Sequence, residues 1–190
     1  RHSSVYTATA SFLQNGEKIN LLDTPGMFDF AGGMIQGISA ADCVLIAVSG
    51  KSGVRVGTKK AYRAAQGKPR MFVVTKLDDE NANFYNVLTE LKSTFGPSVC
   101  PVVVPVIVDR KVDSYINLIE MKAYRYDADG KAQEIPMPTA EVSEKLSYRV
   151  DGLIQAFSEA VAETDEALFE KFFSGEEFTQ KERVDGIHKG

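Results

Sequence analysis

Two short, unbroken apolar runs constrain this chain more than any other feature: Val44-Leu45-Ile46-Ala47-Val48 and Met71-Phe72-Val73-Val74. Runs of that length without polar alternation read as strands buried on both faces of a parallel sheet. Parallel neighbours need a crossover rather than a tight turn. Residues 56–67 supply one, a helical stretch stopped by Gly67-Lys68-Pro69. Crossovers of this kind are right-handed and predict an α/β fold with a doubly wound, mostly parallel sheet. Upstream, residues 7–13 and 18–22 flank Asn15-Gly16, a pair favoured in two-residue hairpin turns. Downstream, residues 81–95 place Phe84, Val87, Leu88 and Leu91 on one helical stripe, ended by Gly96-Pro97.

The pattern changes near residue 106, the expected boundary between a first part, 1–105, and a second, 106–190. Residues 101–108 read as a strand in which Pro105 argues against a central ladder position. Residues 115–126 read as one or two strands ending at the turn Asp127-Ala128-Asp129-Gly130, followed by a short loop with Pro136 and Pro138. Residues 139–163 carry Leu146, Val150, Leu153, Ile154, Phe157 and Val161 at helical spacing. A helix over 165–173 comes next. The last helix opens at Thr179, where Glu182 completes a capping box. The second part is therefore α+β.

The chemistry sits at two strand ends. Asp23-Thr24-Pro25-Gly26 follows the strand 18–22 directly. A carboxylate at such an edge can hold Mg²⁺ through water, and a glycine N–H just beyond it can bond a terminal phosphate. Thr75-Lys76-Leu77-Asp78 follows the strand at 71–74 in the same way. Guanine presents N1–H and an exocyclic amine side by side, and the Asp78 carboxylate can accept from both, while adenine offers no such pair. Each charge-assisted bond is worth about 1.5–3 kcal/mol, enough to select guanine. The aliphatic stem of Lys76 can lie over the purine ring. Taken singly, each tetrapeptide is more simply an ordinary loop. Together, in this order and at this spacing, they form the arrangement of a P-loop GTPase.

Four further segments make the resemblance specific. Residues 21–30, Leu-Leu-Asp-Thr-Pro-Gly-Met-Phe-Asp-Phe, resemble the Asp-Thr-Pro-Gly-His-x-Asp-Phe segment of translational GTPases. Asn81-Ala82-Asn83-Phe84 is similar to the Gly-Ala-x-Phe helix start of elongation factor G. Residues 119–124 resemble the Leu-x-x-Met-Lys-Ala strand of that factor's inserted subdomain, and residues 166–178 its helix–loop segment. The resemblance covers essentially the whole chain. It implies an incomplete P-loop GTPase domain over 1–105, with the inserted α+β subdomain over 106–190. It also implies GTP and Mg²⁺ as ligands of the parent protein, the ribosome as partner, the ribosomal stalk as the contact of the insertion, and a cytoplasmic location. Asp23, Thr24, Pro25, Gly26, Thr75, Lys76 and Asp78 become the GTP-binding residues, and Asp23 the indirect Mg²⁺ ligand. Ser4 stands where the family's Thr hydroxyl ligates Mg²⁺. Met27 occupies the position of the His that orients the attacking water, and a thioether can neither orient water nor donate a proton. Thr75 replaces the family's Asn, a change also found in signal-recognition GTPases.

The phosphate-binding signature G-x-x-x-x-G-K-[ST] occurs nowhere in the sequence. Gly50-Lys51-Ser52 imitates its tail, but the required first glycine would fall on Leu45, inside a strand. The chain itself is therefore expected to bind no nucleotide and to be inactive alone, and it begins without Met as a fragment would. Whole-chain properties exclude other classes. A net charge of -4 and a pI near 5.3 give no general attraction to DNA or to an anionic membrane. No apolar run approaches the roughly 20 residues that span a bilayer. Cys43 and Cys100 lack metal-ligand spacing, and His2 and His188 read as surface residues. The acids Glu159, Glu163, Asp165, Glu166 and Glu170 mark a solvated face or a docking face. Three functions compete: a translocation-coupled GTPase, a tetracycline-resistance-type ribosomal protection GTPase, and a regulator that binds GTP without hydrolysing it.

Overall fold

The structure, a computed structural model, describes residues 4–109, 111–138 and 150–189. The chain divides into two compact units, Arg1–Lys76 and Leu77–Gly190. In the first, β1 (Ala8–Gln14) and β2 (Glu17–Asp23) form an antiparallel hairpin. Asn15 and Gly16 both take positive φ, 52° and 85°, as a type I′ turn requires. A single 3₁₀ turn, Phe28–Phe30, leads into α1 (Ala31–Ala40). Strands β3 (Val44–Ser49) and β4 (Arg70–Thr75) then pair in parallel, joined through α2 (Val56–Ala64).

The expected strand–helix–strand unit is therefore present, but its strands are not buried on both faces. Val44, Ile46 and Val48 are buried, whereas Leu45 is 59% and Met71 48% exposed. Leu45 and Met71 are register partners and share a face. Helix α2 packs on β3, and the face bearing Leu45 and Met71 stays open to solvent. Among the described residues β3–β4 is the one parallel pair, and the hairpin is a separate sheet.

In the second unit, α3 (Phe84–Phe95) begins at the first residue of its apolar stripe, three residues after the expected start at 81. The Asp79 carboxylate accepts from the Asn81 N–H and holds a turn, so the cap falls on Asn83, whose Oδ1 accepts from the Asn86 N–H at 3.0 Å. Strands β5 (Val103–Val108), β6 (Lys111–Asn117), β7 (Lys122–Tyr126) and β8 (Ala132–Ile135) form an antiparallel sheet in that order. Pro105 sits on β5, an edge strand, as its missing N–H demands. Strand β8 occupies part of the stretch expected to be a loop: backbone pairing with β7 holds it, not an apolar pattern of its own.

One face of the sheet supplies buried Val104, Val106, Ile116 and Ala123 to the core. Helix α4 (Val150–Ala162) contributes Leu153, Phe157 and Val161, and α5 (Glu166–Phe173) Leu168, while α6 (Gln180–Lys189) buries Gly186. Residues 139–149, including Leu146, lie outside the described residues, as do Arg1, His2 and Ser3. The Arg183 guanidinium donates to the carbonyls of Ile119, at 2.8 Å, and Phe178, at 2.6 Å, tying α6 to the β6–β7 turn. No helix among the described residues is long and apolar enough to cross a membrane.

The capping box forms as read. The Thr179 N–H donates to Glu182 Oε2 at 2.7 Å, and the Glu182 N–H donates to Thr179 Oγ1 at 3.3 Å. Lys171 Nζ also reaches both Glu182 oxygens, at 3.0 and 2.9 Å. The ammonium of Lys171 first, then the Thr179 donors, hold the Glu182 carboxyl down to about 2 from its ordinary 4.5. A depressed folded-state pKa gives stability that is full above the unfolded value and lost as pH falls through the folded one. Urea midpoints measured from pH 6 to pH 2 should therefore show wild type above Glu182→Gln, with the gap closing between about pH 4.5 and 2; a gap independent of pH would contradict the assignment.

Candidate functional site

The loop after β2 is held by an unusually close helix. Pro25 is fully buried, and Thr24 is half-buried against α1. A Cβ built on Gly37 would lie 2.3 Å from Thr24 Cγ2, and one on Gly33 would lie 3.2 Å from Pro25 Cδ. The sequence Ala31-Gly32-Gly33-Met34-Ile35-Gln36-Gly37 is poor helix material. It forms a helix because glycines four apart on one face let the loop seat directly on the backbone. The Thr7 hydroxyl adds a hydrogen bond to the Gly33 carbonyl at 3.3 Å. Gly33 and Gly37 were not singled out from sequence. The signal available was their four-residue spacing just after Asp23–Gly26.

Seated in this way, the loop presents Asp23, Gly26 and Met27, all exposed. The Ser4 hydroxyl donates to Asp23 Oδ2 at 3.0 Å. The two residues predicted to serve one cation, far apart in sequence, thus meet through their oxygens. The Gly26 amide makes no hydrogen bond among the described residues. Met27 is 50% exposed in extended backbone, and its carbonyl accepts from the Phe30 N–H at 3.1 Å. Lys60 Nζ of α2 sits 4.6 Å from the centroid of the Phe28 ring, a cation–π contact that links α2 to the segment after Met27.

At the second motif, Thr75 closes β4 opposite Ser49. Its hydroxyl donates to the Val48 carbonyl at 3.4 Å, and its own carbonyl accepts from the Gly50 N–H at 2.7 Å. Thr75 is thus a latch between the two parallel strand ends. Lys76 follows with φ 56°, a left-handed conformation uncommon for a side-chain-bearing residue. Lys76 and Asp78 are both exposed.

The loop Gly50-Lys51-Ser52-Gly53 is spent on its own turn. The Gly53 N–H donates to the Ser49 carbonyl at 2.9 Å and the Ser52 N–H to Ser49 Oγ at 3.3 Å. With the Gly50 amide also engaged, it forms no phosphate nest. Cys43 is exposed and Cys100 half-buried, the latter with its thiol pKa pushed up chiefly by burial. Neither belongs to a metal-ligating group among the described residues.

Comparison with known proteins places this geometry. The family model of the elongation factor Tu GTP binding domain matches residues 1–178. An elongation factor G-like protein of Thermotoga maritima is 32% identical over 190 residues, 99% of this chain and 26% of that protein. An elongation factor G-like protein of Mycobacterium tuberculosis is 34% identical over 188 residues, 98% of this chain and 25% of that protein. A crystal structure of a Thermus thermophilus protein matches with a TM-score of 0.82 and 39% identity, over 98% of this chain and 27% of that one. The chain thus spans about a quarter of the length of these relatives.

The glycine seat makes a sharp test. Gly37→Ala should destabilise the chain by about 1–3 kcal/mol through overpacking. Gly32→Ala, with nothing within 4 Å of its new methyl, should be neutral or stabilising by about 0.5–1 kcal/mol. Chemical denaturation of both variants measures the contrast, and equal effects would dismiss the seat.

Proposed function

The chain belongs to the family of the elongation factor Tu GTP binding domain, and from that premise we propose that its parent is a translational GTPase of the elongation factor G type. The parent binds GTP and hydrolyses it on the ribosome in step with translocation. The observation that carries this reading is the Ser4–Asp23 hydrogen bond of 3.0 Å at the C-terminal edge of β2. A hydroxyl and a carboxylate oxygen brought together there are a hard donor set of the kind Mg²⁺ takes beside phosphates. Ser4 would hold the ion directly and Asp23 through water. Bound Mg²⁺ supplies charge neutralisation at the phosphates.

The remaining roles follow from placement. The Gly26 amide, unengaged among the described residues, donates to the terminal phosphate. Pro25 and Thr24 hold it in position through the seat on α1. Asp78 accepts from the guanine N1–H and amine, and the Lys76 stem covers the purine face. Thr75 keeps the base loop in register with β3. GTP hydrolysis transfers the terminal phosphoryl group to water, and the protein contributes mainly positioning and electrostatics. Residues 106–190 act in this reading as the inserted subdomain. Its acids Glu159, Glu163, Asp165, Glu166 and Glu170 face the ribosomal stalk, and the protein works in the cytoplasm.

Met27 supports a second reading. It stands exposed beside Gly26 with a thioether that cannot orient water, which favours a switch that binds GTP on the ribosome and hydrolyses it slowly or not at all. Multiple-turnover phosphate release by the full-length parent with ribosomes separates the two. Fast release is the expected result, and its absence would move the conclusion to the switch.

The 190-residue chain contains no phosphate-binding signature, so it should show no measurable guanine-nucleotide affinity by itself. Titration with a fluorescent GTP analogue tests this; submicromolar binding would show that the loops described here hold nucleotide without a P-loop.

A further inference from the structure

The four-stranded sheet has a second face, opposite its core, that the nucleotide reading does not use. Tyr115 and Tyr124 are cross-strand partners there, and Tyr126, two residues on, shares their side. The rings of Tyr115 and Tyr126 meet edge-to-face at 5.7 Å. With Glu120, Val103 and Ala132 these tyrosines line an open hollow of about 230 Å³.

The charge of the hollow is one-sided. Lys122 on the same face is spent on Glu134 at 2.8 Å. Glu120 forms no ion pair among the described residues. Its Oε2 accepts from the Tyr124 hydroxyl at 2.6 Å, and its Oε1 makes no hydrogen bond among them. The backbone that carries Glu120 is also held: Asn117 Oδ1 accepts from the N–H groups of Ile119, at 3.0 Å, and Glu120, at 3.2 Å. Met121 then turns the chain with φ 55°. The phenol of Tyr115 has its pKa raised, first by burial and then by Tyr126 and Asp78.

We propose that this hollow is a binding site for an arginine side chain of a protein partner, with the tyrosine rings stacking on the guanidinium and Glu120 accepting from it. Aromatic faces attract a cation through their quadrupoles. A planar guanidinium stacks on an aromatic ring, which a compact ammonium does less well, and its fork of donors suits the open Glu120 oxygen. A tyrosine-bearing sheet is also a surface on which nucleic-acid bases can stack. Such platforms work beside a positive groove that tracks the phosphates, and here the unpaired charge is a carboxylate. Arginine is the ligand that the charge and the rings both select.

The test is NMR titration of the 190-residue chain with the peptide acetyl-Gly-Arg-Gly-amide, followed on the tyrosine ring signals. Saturable shifts at Tyr115, Tyr124 and Tyr126 are expected, with a matched Gln peptide inert. Glu120→Gln and Tyr126→Ala should each weaken the affinity by about threefold or more. Glu120→Gln changes an exposed side chain to its near-isostere, so it reports on binding even if Tyr126→Ala perturbs the fold. Absent saturation, equal binding of the Gln peptide, an unchanged Glu120→Gln variant, or tighter binding of an oligouridylate at the same rings would each overturn the proposal.

Discussion

The seating of Thr24 and Pro25 on the glycine face of α1 is the contact on which the candidate phosphate site depends. A loop that follows a strand is ordinarily free to wander, and here both edges of the hairpin lack a neighbouring strand among the described residues. The missing side chains at Gly33 and Gly37 let the loop rest on helix backbone, where Pro25 is fully buried. That fixes the carboxylate of Asp23 close enough to receive the Ser4 hydroxyl and leaves the Gly26 amide unengaged among the described residues. Helix propensity is sacrificed in α1 for this purpose. The result is a rigid support beneath a loop whose outward groups are all exposed.

Much of this was legible in the sequence, for identifiable reasons. The Asn15-Gly16 turn, the parallel pair and the Thr179–Glu182 box rest on short-range chemistry that residue types dictate. Pro105 gave its edge position away because a missing donor has few places to go. The two candidate motifs, Asp23–Gly26 and Thr75–Asp78, were readable because strand ends and their loops are contiguous in the chain. Other features are not written locally. Strand β8 has no apolar alternation and exists because β7 offers it a ladder. The helix α1 contradicts its own propensities and is stabilised by a tertiary contact. Burial of β3 and β4 on one face only could not be seen in runs that are apolar throughout, since periodicity records what a residue is and not what covers it.

The segment after Gly26 joins two kinds of evidence. In the proposed reading Met27 stands where the family carries its water-positioning His, while the next residue, Phe28, is held by Lys60 of α2. The chain therefore keeps a defined conformation immediately beyond the candidate phosphate loop.

The open face of the β3–β4 pair carries a consequence for how this polypeptide behaves in a tube. Leu45 and Met71 lie side by side in water on a two-stranded sheet whose outer backbone edges have no neighbouring strand among the described residues. Apolar side chains beside unpaired backbone donors form a template for another chain, and four net negative charges over 190 residues give only modest mutual repulsion. At high concentration this sheet is therefore a place where the isolated chain can pair with another copy.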